Sequence, residues 1–332
     1  MEKSIWLYLI AVLEVFILSA TGCKKENDNI TPGVKTVGIT LITPVSASCG
    51  GIITLTGSSE ISEIGICWSK EQLPTISDDK ISELNINFST GFTSNISGLQ
   101  PNTTYFVRAY AINKAGTAYG NELFFTTTVD HSGEKGTVTD IEGNVYKTIG
   151  IGSQIWTTEN MRTITFNDGT SIPLAKCYRI WNFLSSPGYC WYNNDDSQYK
   201  NTYGALYNWY TVNTMKLCPS GWNVPGDDEW TILETYLGGS EVAGGKMKES
   251  GNTFWEDPNT GATNESVFTS LPAGCRGDLA TFINVGESSV FWSSGQVGSN
   301  KAIYRSLNSK SPEITRGTNP IEWGASVRCI KD

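Results

Sequence analysis

The tightest constraint on this chain is an alternation. Thr103, Tyr105, Val107, Ala109 and Ala111 fall on one face of an extended strand, and Phe106, Arg108, Tyr110 and Ile112 fall on the other. Leu99-Gln-Pro-Asn102 makes a turn into this strand. Gly116 and Gly120 close the next hairpin, and Glu122 to Thr126 form a last strand. Similar short strands, separated by Gly, Pro, Asn and Ser, begin near Lys35, so residues 36–128 are expected to fold as an antiparallel β-sandwich.

Ahead of it, residues 1–22 have the form of a signal peptide. Lys3 gives positive charge, Ile5 to Leu18 an apolar run, and Ser19-Ala-Thr-Gly22 a string of small residues before Cys23. The apolar run is short for a membrane span, and Glu14 interrupts it. After Cys23 the chain turns polar, and residues 23–35 form a tether. This arrangement resembles a bacterial lipobox, although Ala20 stands where such boxes usually carry Leu. The resemblance implies lipidation of Cys23 and anchoring to a membrane through the N-terminal lipid. The acidic residues that follow resemble the surface-export signal of Bacteroidetes-type lipoproteins, which implies the outer membrane and the cell surface.

Composition removes several classes of function. A net charge of −9 leaves no basic face for nucleic acid. The one histidine, His131, lies in the polar segment 129–136, which has no apolar period and is expected to be a linker. A Ser-His-Asp triad or a His-rich metal site needs imidazoles inside a fold. Of eight cysteines, lipidation of Cys23 would leave seven, an odd number, so at least one thiol is free or pairs outside the chain.

Ile96-Ser-Gly-Leu-Gln-Pro-Asn-Thr-Thr-Tyr105, continuing to Asn113, resembles the late strands of a fibronectin type III domain. Leu99, Pro101 and Tyr105 match the corner that locks the sixth strand of that family, and Gly65-Ile-Cys-Trp-Ser69 resembles another of its strands. Cys49 and Cys67 fall in what should be neighbouring core strands and are expected to pair, stabilising by about 3 kcal/mol in the chain-entropy model. Two buried thiols are the alternative. The module is expected to act as a spacer.

Residues 137–332 have a different texture, rich in Trp, Tyr and Gly. Val145 to Trp156 is expected to form a hairpin, with helices near Gly204–Val212 and from Asp227 to about Leu237. The second helix has Gly226 as N-cap, acids in its first turn and Trp230, Leu233 and Leu237 on one face. Gly238-Gly239 would end it. Short strands are expected at Ser289–Ser293, Ala302–Leu307 and Ala325–Ile330, an α+β pattern.

This segment resembles the Fibrobacter succinogenes major paralogous domain family. The matching runs include Ile151-Gly-Ser-Gln-Ile-Trp156, Tyr189-Cys-Trp-Tyr-Asn-Asn-Asp195, Thr202-Tyr-Gly-Ala-Leu-Tyr-Asn-Trp209, Leu217-Cys-Pro-Ser-Gly-Trp222 and Ser326-Val-Arg-Cys329. Gly221-Trp-Asn-Val-Pro225 with Asp228-Glu-Trp230 is more distantly similar to formylglycine-generating-enzyme-like domains, which implies a C-type-lectin-like fold; fold similarity carries no activity. No cysteine pair matches the reactive pair of those enzymes. Cys218 and Cys329 flank the second helix and last strand and are expected to pair. Cys190 has no evident partner, while Cys177 and Cys275 depart from the family pattern and are left open to pair with each other.

Two groups are candidates for ligand contact. Trp191 and Tyr192 could stack on a sugar, with Asn193, Asn194 and Asp195 to bond hydroxyls or hold Ca²⁺ through hard oxygens. A polar turn behind two core aromatics explains the same residues. Asn264 and Glu265, with Arg276 downstream, form the second group, set against a loop that merely braces itself. Glu159-Asn160 reads as a strand-end brace and Glu229 as a helix-cap carboxylate. The expectation is a non-enzymatic surface lipoprotein that binds glycan or another surface protein, with a structural component of the cell surface or a carboxylate-dependent glycan-active enzyme as rivals.

Overall fold

The computed structural model describes residues 29–83 and 91–332; the leader, Cys23 and most of the tether lie outside the described residues. No described helix is long and apolar enough to cross a membrane.

The first part is β-structure throughout. Its strands are β1 (Gly33–Thr40), β2 (Ser46–Leu55), β3 (Ile61–Ser69), β4 (Asp79–Glu83), β5 (Phe92–Ser97), β6 (Thr104–Asn113), β7 (Gly116–Tyr119) and β8 (Leu123–Thr126). They form two sheets, ordered β1-β2-β5 and β4-β3-β6-β7, with β8 also on β6. The expected inward face is buried: Tyr105, Val107, Ala109 and Ala111 are each 5% exposed or less. The corner before β6 closes as expected, the Gln100 N–H donating to Tyr105 Oη at 3.0 Å. Tyr105→Phe removes that acceptor and is predicted to cost about 1–2 kcal/mol, measurable as a lower denaturation midpoint.

Cys49 and Cys67 do not pair; both are buried free thiols. They lie on β2 and β3, in different sheets. Cys49 shares strand parity with Gly51, whose Cβ position would meet Ala109 and Phe92 in the core. Cys67 shares parity with Gly65, which faces the Tyr110 hydroxyl on the other side of β3, and its Sγ points to the carbonyls of Pro74 and Arg108 at 3.5 Å. Cys49 thus faces the core between the sheets, while Cys67 lies on the far side of its own sheet. Burial pushes each thiol up to about 11.

Near Cys67 the same outer face carries a polar knot. Glu63 Oε1 accepts from Tyr110 Oη at 2.6 Å, Ser82 Oγ at 2.7 Å and Lys80 Nζ at 3.0 Å. These bonds, led by Tyr110, hold the carboxyl down to about 2. A lowered carboxylate pKa stabilises the fold above the unfolded value near 4.5, and that contribution is lost as pH falls towards 2. The acid limb of the stability profile is predicted to flatten in Glu63→Gln; an unchanged limb in denaturant titrations from pH 5 to pH 2 would contradict this.

The second part is a mixed α+β unit. Its strands are β9 (Lys135–Thr139), β10 (Val145–Ile151), β11 (Gln154–Thr157), β12 (Tyr189–Cys190), β13 (Leu206–Tyr207), β14 (Trp222–Asn223), β15 (Ala273–Arg276), β16 (Phe282–Val285), β17 (Ser288–Val297), β18 (Lys301–Asn308), β19 (Ile314–Pro320) and β20 (Ile330–Lys331). Its helices are α1 (Tyr178–Asn182), α2 (Asp196–Tyr203), α3 (Trp209–Val212), α4 (Asp227–Tyr236) and α5 (Ser240–Met247). Five-stranded sheets run β14-β20-β11-β10-β9 and β16-β15-β17-β18-β19, with β12-β13 as a separate pair. The β10–β11 hairpin forms where expected, turning through Gly152 at φ 60°. Segment 129–136, expected as a linker, is partly bound in: the His131 and Gly133 N–H groups donate to the Gly152 and Gly150 carbonyls, and β9 starts at Lys135.

Helix α4 starts as expected after Gly226, whose N–H donates to the Glu229 carboxylate. The helix expected over 204–212 is displaced. α2 lies before it and stops at Gly204, with φ 73°; Leu206 and Tyr207 then pair with Cys190 and Tyr189, leaving one helical turn at α3. The final run Ala325–Ile330 makes isolated bridges to Tyr207 and Phe291 rather than a continuous strand. Trp156, Trp230, Phe268 and Phe291 pack with ring centroids 4.9–6.1 Å apart and anchor the core beneath α4.

Candidate functional site

The aromatic residues singled out from sequence are core residues. Trp191 and Tyr192 are 4% and 5% exposed. Trp191 packs edge-on against Tyr189 at 5.4 Å in one hydrophobic cluster; Tyr192 packs against Tyr199 and Phe282, at 5.1 and 5.2 Å, in another. Neither offers a face to a sugar. Asn193 and Asn194 take left-handed conformations in the turn, and Asn194 Nδ2 bonds the Lys176 carbonyl at 3.2 Å. Asp195 caps α2, accepting from the Gln198 N–H at 3.1 Å and Ser197 Oγ at 2.6 Å. Its Oδ1 is spent on the helix, and the segment is the polar turn that chain chemistry alone would produce.

The second group is also dispersed. Asn264 braces its own loop, accepting from the Thr269 N–H at 2.9 Å and donating to Thr269 Oγ1 at 3.1 Å. Glu265 pairs with Lys246 at 2.9 Å on the surface. Arg276 is 1% exposed. Its guanidinium donates to the carbonyls of Ala280, Ala175 and Lys176 at 3.1, 2.7 and 3.0 Å, between Trp181 and Phe282. It clips two distant segments together and reaches no cleft. Cys218 and Cys329 are joined, as expected, with Cα atoms 5.9 Å apart. Cys190 and Cys275 are buried free thiols, and Cys177 is an exposed one.

The concave surface of this domain lies elsewhere. A cleft of about 340 Å³ opens between the stretch after β11 (Thr158, Glu159, Asn160, Arg162), the end of α2 (Asn201, Thr202, Gly204) and the stretch after α5 (Glu249, Phe254). Thr269, Leu271 and Arg328 complete its lining. Two of its walls are fixed by buried polar bonds. Asn160 Nδ2 donates to the Tyr203 carbonyl at 2.8 Å and Ser326 Oγ at 3.1 Å. Arg328, 1% exposed, donates to Asn160 Oδ1 at 2.7 Å and to the carbonyls of Thr157, Phe268 and Thr269. The brace read at Glu159-Asn160 therefore exists, and it also forms the side of a cleft.

The charges facing the cleft are unequally matched. Glu159 and Arg162 pair at 3.0 Å. Glu249 has its backbone pinned, its N–H donating to the Ser270 carbonyl and its own carbonyl accepting from Asn259 Nδ2. Its Oε2 is buried without a hydrogen-bond partner among the described residues. Burial pushes its carboxyl up, and no cation among the described residues offsets this. The adjacent Lys248 does not serve: its ammonium is bound by the carbonyls of Thr260, Asn308 and Ser311 at 2.8–2.9 Å. Phe254, half-buried, meets Tyr203 edge-on at 6.3 Å. Sequence reading missed Glu249 and Phe254 because a lone Glu and a lone Phe in a Gly/Asn-rich loop carry no periodic signal.

Comparison with known proteins fits this domain. The family model of the Fibrobacter succinogenes major domain matches residues 149–331. The chain belongs to the Fibrobacter succinogenes major domain family. The cleft, the disulfide and the buried Arg276, Arg305 and Arg328 fall inside the family domain. No curated protein matches the chain. Among solved structures, the chain is similar to the sensor domain of the anti-sigma factor RsgI4 of Pseudobacteroides cellulosolvens, with 20% identity over 30% of this chain and 95% of that one and a TM-score of 0.22. It is also similar to a fibronectin type III domain of the human KIAA0970 protein, with 11% identity over 33% and 87% and a TM-score of 0.23. The 6th such domain of human fibronectin type III domain containing protein 3 gives 17% identity over 35% and 99% and a TM-score of 0.22.

Proposed function

We propose that this chain is an exported lipoprotein, anchored to the outer membrane through Cys23, whose family domain has a C-type-lectin-like fold and recognises glycan at the cell surface without catalysis. The fibronectin-like module holds the domain away from the bilayer. The observation that carries the binding reading is the cleft bounded by Glu159, Asn201, Glu249 and Phe254, which combines an aromatic face with amide and carboxylate groups. The Cys218–Cys329 bond supports an oxidising location. Two carboxylates in one cleft also raise the possibility of hydrolysis, but Glu159 is committed to Arg162 at 3.0 Å, which favours binding.

A glycan array probed with the purified mature chain tests the reading. Binding that is lost in Phe254→Ala is the expected result; silence across the array favours a structural role instead. Mass spectrometry of the mature N-terminus tests export, with a diacylglyceryl-modified Cys23 expected and an intact leader contradicting it.

A further inference from the structure

The cleft also says what kind of sugar it suits. This rests on the binding reading above. Its unmatched feature is a single carboxylate: Glu249 Oε2 is out of water and unbonded among the described residues. An acceptor buried in that state is costly, and more so on a carboxylate, unless a positive charge comes to the carboxylate from the cleft. None of the nearby cations supplies it. Arg162 is neutralised by Glu159, Lys248 is held by three carbonyls, and Arg328 donates to Asn160 and to backbone. Phe254 lines the same cleft as the carboxylate, and an aromatic face in a cleft with an anion favours a cation. A ligand anion would instead meet two carboxylates, while both guanidiniums are already engaged. The chain's net charge of −9 draws cations towards it at long range.

We propose that the cleft binds an amino sugar with a free amine, its ammonium paired with the Glu249 carboxylate and its ring lying on Phe254. Glu249 then sets the preference for the amine, and Phe254 binds the ring whatever its substituent.

Titration calorimetry of the whole mature chain with three probes tests this: glucosamine oligomers, the same oligomers N-acetylated, and glucose oligomers of equal length. The glucosamine oligomer is expected to bind at least about tenfold more tightly than the other two. Glu249→Gln is expected to remove that margin, leaving the three probes alike, whereas Phe254→Ala weakens all three together. Unchanged thermal unfolding of each variant shows that the fold is intact. Equal binding of all three probes by the unaltered chain overturns the amine preference but leaves glycan binding standing. A margin that survives in Glu249→Gln overturns the assignment to Glu249. Absence of binding by every probe overturns both this inference and the function it rests on. Tighter binding of a lysine-rich peptide than of any oligosaccharide overturns the choice of a sugar.

Discussion

Replacing Cys218 and Cys329 together by alanine is expected to lower the stability of the family domain by about 4–5 kcal/mol. The bond joins residues 111 positions apart, and in the chain-entropy model a loop of that size restricts the unfolded chain by about that amount. It ties the segment just before β14 to the segment just before β20, two strands that pair through Trp222↔Lys331 and Asn223↔Ile330. Many domains have a net stability of only about 5–15 kcal/mol, so most of the margin could go. Denaturant titration of the unaltered chain with and without reductant should show the same loss, because the other described cysteines are already free. Overlapping curves would mean that the bond does not form or does not constrain the chain.

The second large effect is expected at Arg276. Arg276→Met keeps an unbranched side chain of similar reach but leaves the Ala175, Lys176 and Ala280 carbonyls without their donor and removes a cation from between Trp181 and Phe282. A loss of about 3 kcal/mol or more is expected. Arg276→Lys should not restore it, since one ammonium cannot reproduce the planar fork that spans two segments. Hydrogen exchange should rise around residues 174–177 and 276–282. Loss of glycan binding at full stability would instead place Arg276 in a ligand site and contradict its role as a clip.

The disulfide and Arg276 mark the two sides of what the sequence made legible. The strand around Tyr105, the hairpin of β10 and β11, the start of α4 and the Cys218–Cys329 pair are carried by local signals: alternation, a glycine turn, acids after Gly226, and cysteines flanking recognisable elements. Positions whose meaning depends on the far side of the domain were not legible. Arg276 reads in sequence as part of a ligand-contact group because nothing near it announces carbonyls 100 residues earlier. Trp191 and Tyr192 read either as a sugar platform or as core aromatics behind a polar turn, and the clusters that cover both are drawn from distant segments. Cys49 and Cys67 look like neighbours because their strands follow one another in sequence, while the sheet each strand joins and the side each thiol faces are set by distant pairing. The helix expected at Gly204–Val212 gave way to tertiary pairing of Leu206 and Tyr207 with β12. The cleft itself is assembled from four separated segments and could be found only after they were brought together.

The most direct measurement is hydrogen exchange of the whole mature chain with and without a saturating glucosamine oligomer. Ligand in the cleft predicts slowed exchange in residues 158–162, 201–204 and 249–254, with no change at 191–195. Slowing confined to residues 191–195, or to the fibronectin-like strands, would contradict it.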